Sequence, residues 1–147
     1  MNTEYSFFQI DFGSPDYDEA VSLRNKVLRI PLGLEFTEEQ LEEEWNQLHF
    51  VLRNSEDKTI ACLIFKIENS DVLKMRQVAV DDSYQSKGCG SKLVIGSELW
   101  ATANGYKKIE LHARDKAVEF YNKLGYVTVG EEFIEVGIPH RSMEKIL

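Results

Sequence analysis

The residues of this chain whose types and spacing can do chemistry run Val78-Ala79-Val80-Asp81-Asp82-Ser83-Tyr84-Gln85-Ser86-Lys87-Gly88-Cys89-Gly90-Ser91-Lys92-Leu93. An apolar strand pattern passes through a turn holding Gly88 and Gly90 into a helical pattern. The first turn of a helix leaves its N–H groups without helical partners, and little side-chain bulk lets a phosphate approach them. The N–H groups of residues 86–91 are the donors, and Lys87 and Lys92 add positive charge at the rim. A pyrophosphate suits such a turn. The spacing matches neither the Walker A loop nor the Gly-x-Gly-x-x-Gly dinucleotide fingerprint, which argues against nucleoside triphosphates and NAD. On the glycines alone, a plain strand–helix junction stays open.

The elements that must position this turn follow from periodicity. Residues 5–10 suit an opening strand, and residues 16–30 a helix capped by Asp16 and closed by Pro31 and Gly33. Thr37 with Gln40 forms a second capping box, followed by Leu41, Trp45 and Leu48 as one helical stripe. Six glutamates between Glu35 and Glu44 load that region and read as a solvated acidic face. Strands are expected at 49–54, 59–68 and 72–80, then a helix at 89–104 stopped by Asn104-Gly105. A strand at 107–113, a short helix at 116–124, a strand at 126–136 and a pairing tail at 141–147 complete the pattern. The order is that of a layered α/β fold with an antiparallel start and a parallel crossover near residue 80.

Composition narrows the class. A chain of 147 residues fits one domain and can bury roughly 70% of its unfolded surface. With 17 basic and 25 acidic residues the net charge is -8, which offers no basic footprint for nucleic acid. An acidic surface suits cationic amine substrates and serves solubility equally well. Cys62 and Cys89 make neither a disulfide framework nor a metal signature, and no metal is expected. No secretory pattern opens the sequence and no apolar run approaches the roughly 20 residues of a membrane span, so a soluble cytoplasmic protein is expected.

Two stretches together carry a family resemblance. Gln85-Ser86-Lys87-Gly88-Cys89-Gly90 resembles the Gln/Arg-x-x-Gly-x-Gly/Ala motif of the GNAT superfamily of N-acetyltransferases. Ala117-Val118-Glu119-Phe120-Tyr121-Asn122-Lys123-Leu124-Gly125-Tyr126 is similar to that family's Ala-x-x-Phe/Leu-Tyr-x-Lys-x-Gly-Phe stretch. The resemblance implies a GNAT-like acyl-CoA N-acyltransferase fold over residues 1–147: a mixed sheet of about seven strands with about four helices, splayed at the cofactor cleft.

The same resemblance implies an activity, a binding mode and a set of residue roles. The activity is transfer of an acetyl group from acetyl-CoA to a primary amine by direct attack in a ternary complex. The backbone of Val78, Ala79 and Val80 holds the pantetheine arm as an added strand, and an N–H near Val78 polarises the thioester carbonyl. The N–H groups from Gln85 through Ser86, Lys87, Gly88, Cys89, Gly90 and Ser91 bind the pyrophosphate. Tyr121 protonates the departing thiolate of coenzyme A. Many members carry an asparagine where this chain has Arg114, and an arginine there suits a phosphate or a carboxylate. Cys89 beside the thioester reads as small-residue packing rather than an acyl-cysteine, since no histidine partner stands at a fixed spacing.

The acceptor amine is a small molecule or a peptide amine. His112, His140, Glu131 and Glu132 are the candidates for its base, with His140 placed in a turn before the last strand. Arg24 and Arg29, in the segment that varies over the acceptor site in the family, read chiefly as helix-surface charges. A homodimer is the family's habit. Two alternatives belong beside acetyl transfer: a coenzyme A-binding regulatory module that does not acetylate, and an N-acyltransferase using another short acyl-CoA.

Overall fold

The computed structural model describes residues 4–147, and these hold seven strands and four α-helices. The chain runs β1 (Ser6–Ile10), α1 (Pro15–Arg24), α2 (Glu38–Glu42), β2 (Leu48–Arg53), β3 (Thr59–Ile67), β4 (Val72–Val80) and α3 (Cys89–Ala103). It continues with β5 (Lys108–Arg114), α4 (Val118–Lys123), β6 (Val127–Glu135) and β7 (Ile138–Ile146). The strands form one mixed sheet in the order β1-β2-β3-β4-β5-β7-β6. By packing the chain divides into two compact units, one of residues up to Lys66 with Gln77–Ser97, the other of Ile67–Arg76 with Glu98–Leu147. None of the described helices is long and apolar enough to cross a membrane.

In the first unit β1, β2 and β3 pair antiparallel. Tyr17, Ala20 and Leu23 of α1 close with Ile10, Val51, Cys62 and Ala79 into one buried cluster. The stripe is that of an amphipathic helix whose apolar side covers a sheet face. Phe7 and Phe50 stack at 5.4 Å, and a Cβ added at Gly96 would come within 2.8 Å of the Phe7 ring. Glycine at 96 is therefore what lets α3 approach this close, and a larger residue would overpack the contact.

The helix start is not the one expected from Asp16. The Ser14 hydroxyl accepts from the Tyr17 N–H at 3.2 Å, and Pro15 takes the first helical position, where no N–H is needed. The winding continues past Arg24 as one π-helical turn, Asn25–Arg29, and a 3-10 turn, Ile30–Leu32, before Gly33 ends it with φ 72°. The Thr37–Gln40 capping box forms as expected, with bonds of 3.2 and 3.0 Å. The helix it starts is short, and the Leu41, Trp45, Leu48 stripe does not form. After Glu42 the chain tightens into three-residue turns, Glu44 N–H to Leu41 O and Gln47 N–H to Glu44 O, both 3.0 Å. Trp45 is left 70% exposed, while Glu44 goes inside.

Glu44 and Arg24 correct the two surface readings. Both are buried, and the guanidinium grips the carboxylate with two bonds of 2.8 and 2.6 Å. The Tyr17 hydroxyl donates to Glu44 Oε1 at 2.9 Å, and His49 Nε2 donates to the Glu44 carbonyl at 3.0 Å. The Phe36 ring covers Arg24 with the guanidinium carbon 4.5 Å from its centroid. Burial pushes the Glu44 carboxyl up, but the Arg24 bonds and charge, with the Tyr17 hydroxyl, hold it below its ordinary range. Burial pushes the His49 imidazole down, against the pull of Glu44.

In the second unit β4 and β5 run parallel, with Val72 to Met75 paired to Lys108 to Leu111. Antiparallel β7 lies beside β5, and β6 lies outside it. The cross-strand partners sort into two faces. Leu73, Met75, Ile109, Leu111, Ala113 and Met143 share a buried one. Lys145, paired with Ile109, reaches over that face to Glu98 Oε1 at 3.0 Å and to the Leu124 carbonyl after α4 at 2.7 Å. The opposite face carries Lys108, Glu110, His112 and Arg114 from β5, and Glu144, Ser142 and His140 from β7. A two-residue hairpin, Val136 at φ 46° and Gly137 at φ 76°, joins β6 to β7. His140 thus lies within β7 and not in a turn, because the positive-φ pair closes the hairpin earlier.

For both Glu44 and His49 the native state binds fewer protons than the unfolded chain. Their stabilisation is complete above the unfolded values, about 6.5 for His and about 4.3 for Glu, and is lost as pH falls through them to the lower native values. Thermal midpoints followed by circular dichroism are expected to fall from about pH 6.5 downward. Glu44→Ala, which strands a buried guanidinium, is expected to cost about 3–5 kcal/mol in denaturant titration. A midpoint flat down to about pH 4 would contradict the assignment.

Candidate functional site

The turn after β4 is built from the strand outward. Gln77 sits at φ 55°, a left-handed backbone in mid-strand that a non-glycine residue rarely adopts. It lies two residues beyond the β5-paired stretch, which ends at Met75. Ala79 then packs into the first unit's core, while Val78 and Val80 are half-buried. The Asp81 N–H bonds the Ile60 carbonyl at 2.8 Å, and its buried carboxylate accepts from the Ser83 N–H at 3.0 Å. That N–H is the main reason the Asp81 carboxyl lies below its ordinary range; burial opposes it and Lys26, at 3.4 Å, assists. Asn54 fastens the turn from the side by donating to the Tyr84 hydroxyl at 2.8 Å.

The Gln85 side chain is spent inside the turn, donating to the Val80 carbonyl and to Asp82 Oδ1, each at 3.1 Å. Ser86 at φ 63° and Gly88 at φ 82° then swing the backbone into α3, and the Lys92 N–H closes its first bond on the Gly88 carbonyl at 3.1 Å. Gly88 therefore occupies the capping position, with Cys89, Gly90 and Ser91 as the first three helical residues. Among the described residues the N–H groups of Ser86, Lys87, Gly88, Gly90 and Ser91 have no close protein acceptor, while that of Cys89 lies buried. A Cβ placed on Gly88 would meet nothing within 4 Å, so the space over the turn is open. Open N–H groups at a helix start are an anion site in both geometry and dipole. Lys87 lies over the Tyr84 ring, its Nζ 5.5 Å from the centroid. Cys89 is fully buried, in keeping with packing. Cys62 is buried also, its thiol pushed up to about 12 by desolvation, so it is no poised nucleophile.

Arg114 and Tyr121 belong to the second unit. Arg114 ends β5 and is half-buried; burial pushes its guanidinium down from the ordinary value, and the charge of Glu135 opposes this. One 3-10 turn, Asp115–Ala117, leads from it into α4. Tyr121 is 7% exposed and packs edge-on against Phe120 at 5.0 Å and Tyr126 at 5.6 Å. Burial alone pushes its hydroxyl up, which keeps the proton on at neutral pH. Among the described residues its hydroxyl makes no hydrogen bond, whereas the Tyr126 hydroxyl is tied to Glu98 Oε2 at 2.8 Å.

The candidate bases fall differently. Glu131 and Glu132 are exposed in the irregular stretch of β6 between Val129 and Phe133. His112 Nδ1 lies 3.0 Å from Glu135 Oε1, and His140 Nε2 lies 3.6 Å from Glu135 Oε2. Sequence reasoning missed Glu135, Asp81 and Gln77. An aspartate at a strand end is a turn signal that points to Asp81. Nothing local marks Glu135, which meets His112 only across β7, or Gln77, whose backbone is imposed by its surroundings.

Residues 32–147 match the family model described as an acetyltransferase (GNAT) domain. A candidate acetyltransferase of Bacillus subtilis strain 168 is 38% identical over 72 residues, 49% of this chain and 49% of its own length. The chain thus spans about half the length of the first curated relatives it matches. A candidate N-acetyltransferase of Lactobacillus plantarum superposes with a TM-score of 0.85 at 25% identity, covering 99% of this chain and 98% of the other. A GNAT family acetyltransferase of Elizabethkingia anophelis, solved with acetyl-CoA bound, superposes at 0.75 with 17% identity, covering 97% and 98%.

Proposed function

The chain belongs to the GNAT acetyltransferase family, and from that premise we propose that residues 1–147 act as one domain that transfers an acetyl group from acetyl-CoA to a primary amine. The observation that carries the proposal is the set of N–H groups at Ser86, Lys87, Gly88, Gly90 and Ser91, without close acceptors among the described residues, at the start of α3. A pyrophosphate fits that donor set, and the acetyl-CoA bound to the Elizabethkingia relative is a ligand that contains one. Lys87 and Lys92 screen its charge at the rim. The backbone of Val78, Ala79 and Val80, which follows the left-handed Gln77, takes the pantetheine arm as a further strand, and the Val78 N–H polarises the acyl oxygen. Arg114 meets a phosphate or a carboxylate.

Bound acetyl-CoA supplies a thioester, an acyl group activated toward amines. Tyr121, kept protonated by burial and with no hydrogen bond to its hydroxyl among the described residues, gives its proton to the leaving sulfur. The acceptor attacks directly, since neither cysteine is an exposed thiolate. In the same proposal the chain works in the cytoplasm as a homodimer. Light scattering of the purified chain is expected to give twice the monomer mass, and a monomer at every concentration refutes the assembly.

Thiol release from acetyl-CoA, measured across a panel of primary amines and peptides, is expected to show turnover; tight coenzyme A binding with no turnover would refute acetyl transfer. Tyr121→Phe is expected to lower kcat by about 10²-fold or more while leaving the KM for acetyl-CoA within about two-fold. Unchanged turnover would remove Tyr121 from the leaving-group role. Gly88→Val forces a β-branched residue to φ 82° and puts side-chain bulk into the open space over the turn. Calorimetric affinity for coenzyme A is expected to drop by at least about ten-fold, and an unaltered Kd would refute the pyrophosphate site.

A further inference from the structure

We infer that His112 is the base that deprotonates the acceptor amine, held in its working tautomer by Glu135; this rests on the acetyl-transfer reading above. His112 projects from the open face of the β5–β7–β6 sheet with 32% of its side chain exposed. Its Nδ1 lies 3.0 Å from a Glu135 carboxylate oxygen. A carboxylate only accepts, so the ring proton sits on Nδ1 and the Nε2 lone pair is left to take a proton. Phe133 fixes the ring orientation by an edge-to-face contact at 4.9 Å. His140 stacks on Phe133 at 5.9 Å and donates Nδ1–H to the Ile138 carbonyl at 2.9 Å. The His112 imidazole is thus oriented by a carboxylate, the arrangement expected of a general base.

Position in the unit agrees. His112 and Arg114 stand at the carboxyl end of β5, the parallel strand that follows the α3 crossover, and ligands of open α/β sheets gather at such ends. Of the other charges on this face, Lys108 pairs with Glu144 at 3.3 Å, Glu110 stands across from Glu144 in the register, and the charge of Arg114 is opposed to that of Glu135. The end of α4, with Leu124 bonded to Lys145, lies over the opposite, buried face.

The protons balance. An alkyl ammonium gives one proton to His112 Nε2 and its lone pair forms the N–C bond to the acyl carbon. The C–S bond breaks and the sulfur takes the proton of Tyr121. The second nitrogen proton lost on amide formation restores Tyr121, and His112 releases its proton to water.

Basic amines need this base and amines already uncharged at neutral pH do not. His112→Gln, assayed with a primary alkylamine and with an aromatic amine, is expected to lose about 10²–10⁴-fold in kcat/KM toward the first and less than about ten-fold toward the second. The ratio of the two rates is internal to each protein, so partial unfolding cancels from it. Glu135→Gln is expected to shift the ratio in the same direction by a smaller factor. Equal losses toward both amines, or no loss, overturn the role of His112. In the ligand-free wild-type chain, imidazole nitrogen NMR above about pH 8 is expected to show His112 as the Nδ1–H tautomer. Finding the Nε2–H tautomer overturns the dyad. A wild-type chain that turns over no amine at all refutes the acetyl-transfer reading and this inference with it; turnover without discrimination by His112→Gln refutes the inference alone.

Discussion

A set of backbone N–H groups, at Ser86, Lys87, Gly88, Gly90 and Ser91, that no close acceptor among the described residues takes is the constraint around which the β4–α3 region is organised. Such groups cannot be buried dry, so the turn must stay open to water or to an anion. The backbone reaches that state through three left-handed residues, Gln77, Ser86 and Gly88, of which only the last escapes the penalty of a Cβ. The strain is held by neighbours: Asp81 caps the turn and bonds Ile60, Asn54 pins Tyr84, and the Gln85 amide closes on Val80. Cost at the turn and firmness around it are two sides of one device.

The buried Arg24–Glu44 pair does similar work at the other end of the first unit. It joins α1 to the turns after α2 and recruits Tyr17 and His49. Ion pairs of this kind contribute little net stability, because both charges must leave water. What they confer is direction: two bonds from a planar guanidinium allow one placement of Glu44, and through it one path from α2 into β2. The exposed Trp45 beside it shows that position, not hydrophobicity, decided which residue went inside.

In the second unit the sheet has two unlike faces. One is apolar and tied to Glu98 and Leu124 through Lys145; the other is wet and carries the His112, Glu135, His140 group. Strict alternation along β5 produces both from the run Lys108-Ile109-Glu110-Leu111-His112-Ala113-Arg114. The period-two pattern is legible in the sequence. Which strand lies across from it is not, and so His112 was visible as one candidate base among four while its partner Glu135 was not.

The strands, the α3 helix with its Asn104-Gly105 stop, the Thr37–Gln40 box and the glycine turn were all determined by local sequence. Each depends on hydrogen bonds or periodicity within a few residues. The start of α1 at Ser14 was equally local, but Pro15 and not the acidic Asp16 marked it. Only the tertiary structure decided the rest. It turned Arg24 and Glu44 from surface charges into a buried pair, shortened α2, drew His140 into β7, and set Gln77 left-handed. In each case the deciding partner is distant in sequence or the backbone state is imposed from outside, and no pattern along the chain records such a partner. The stretch from Val78 to Ser91 lies on the boundary between the two kinds. Its glycines announce a turn, while the protein's failure to use its own N–H groups there became visible only once every neighbouring acceptor had been placed.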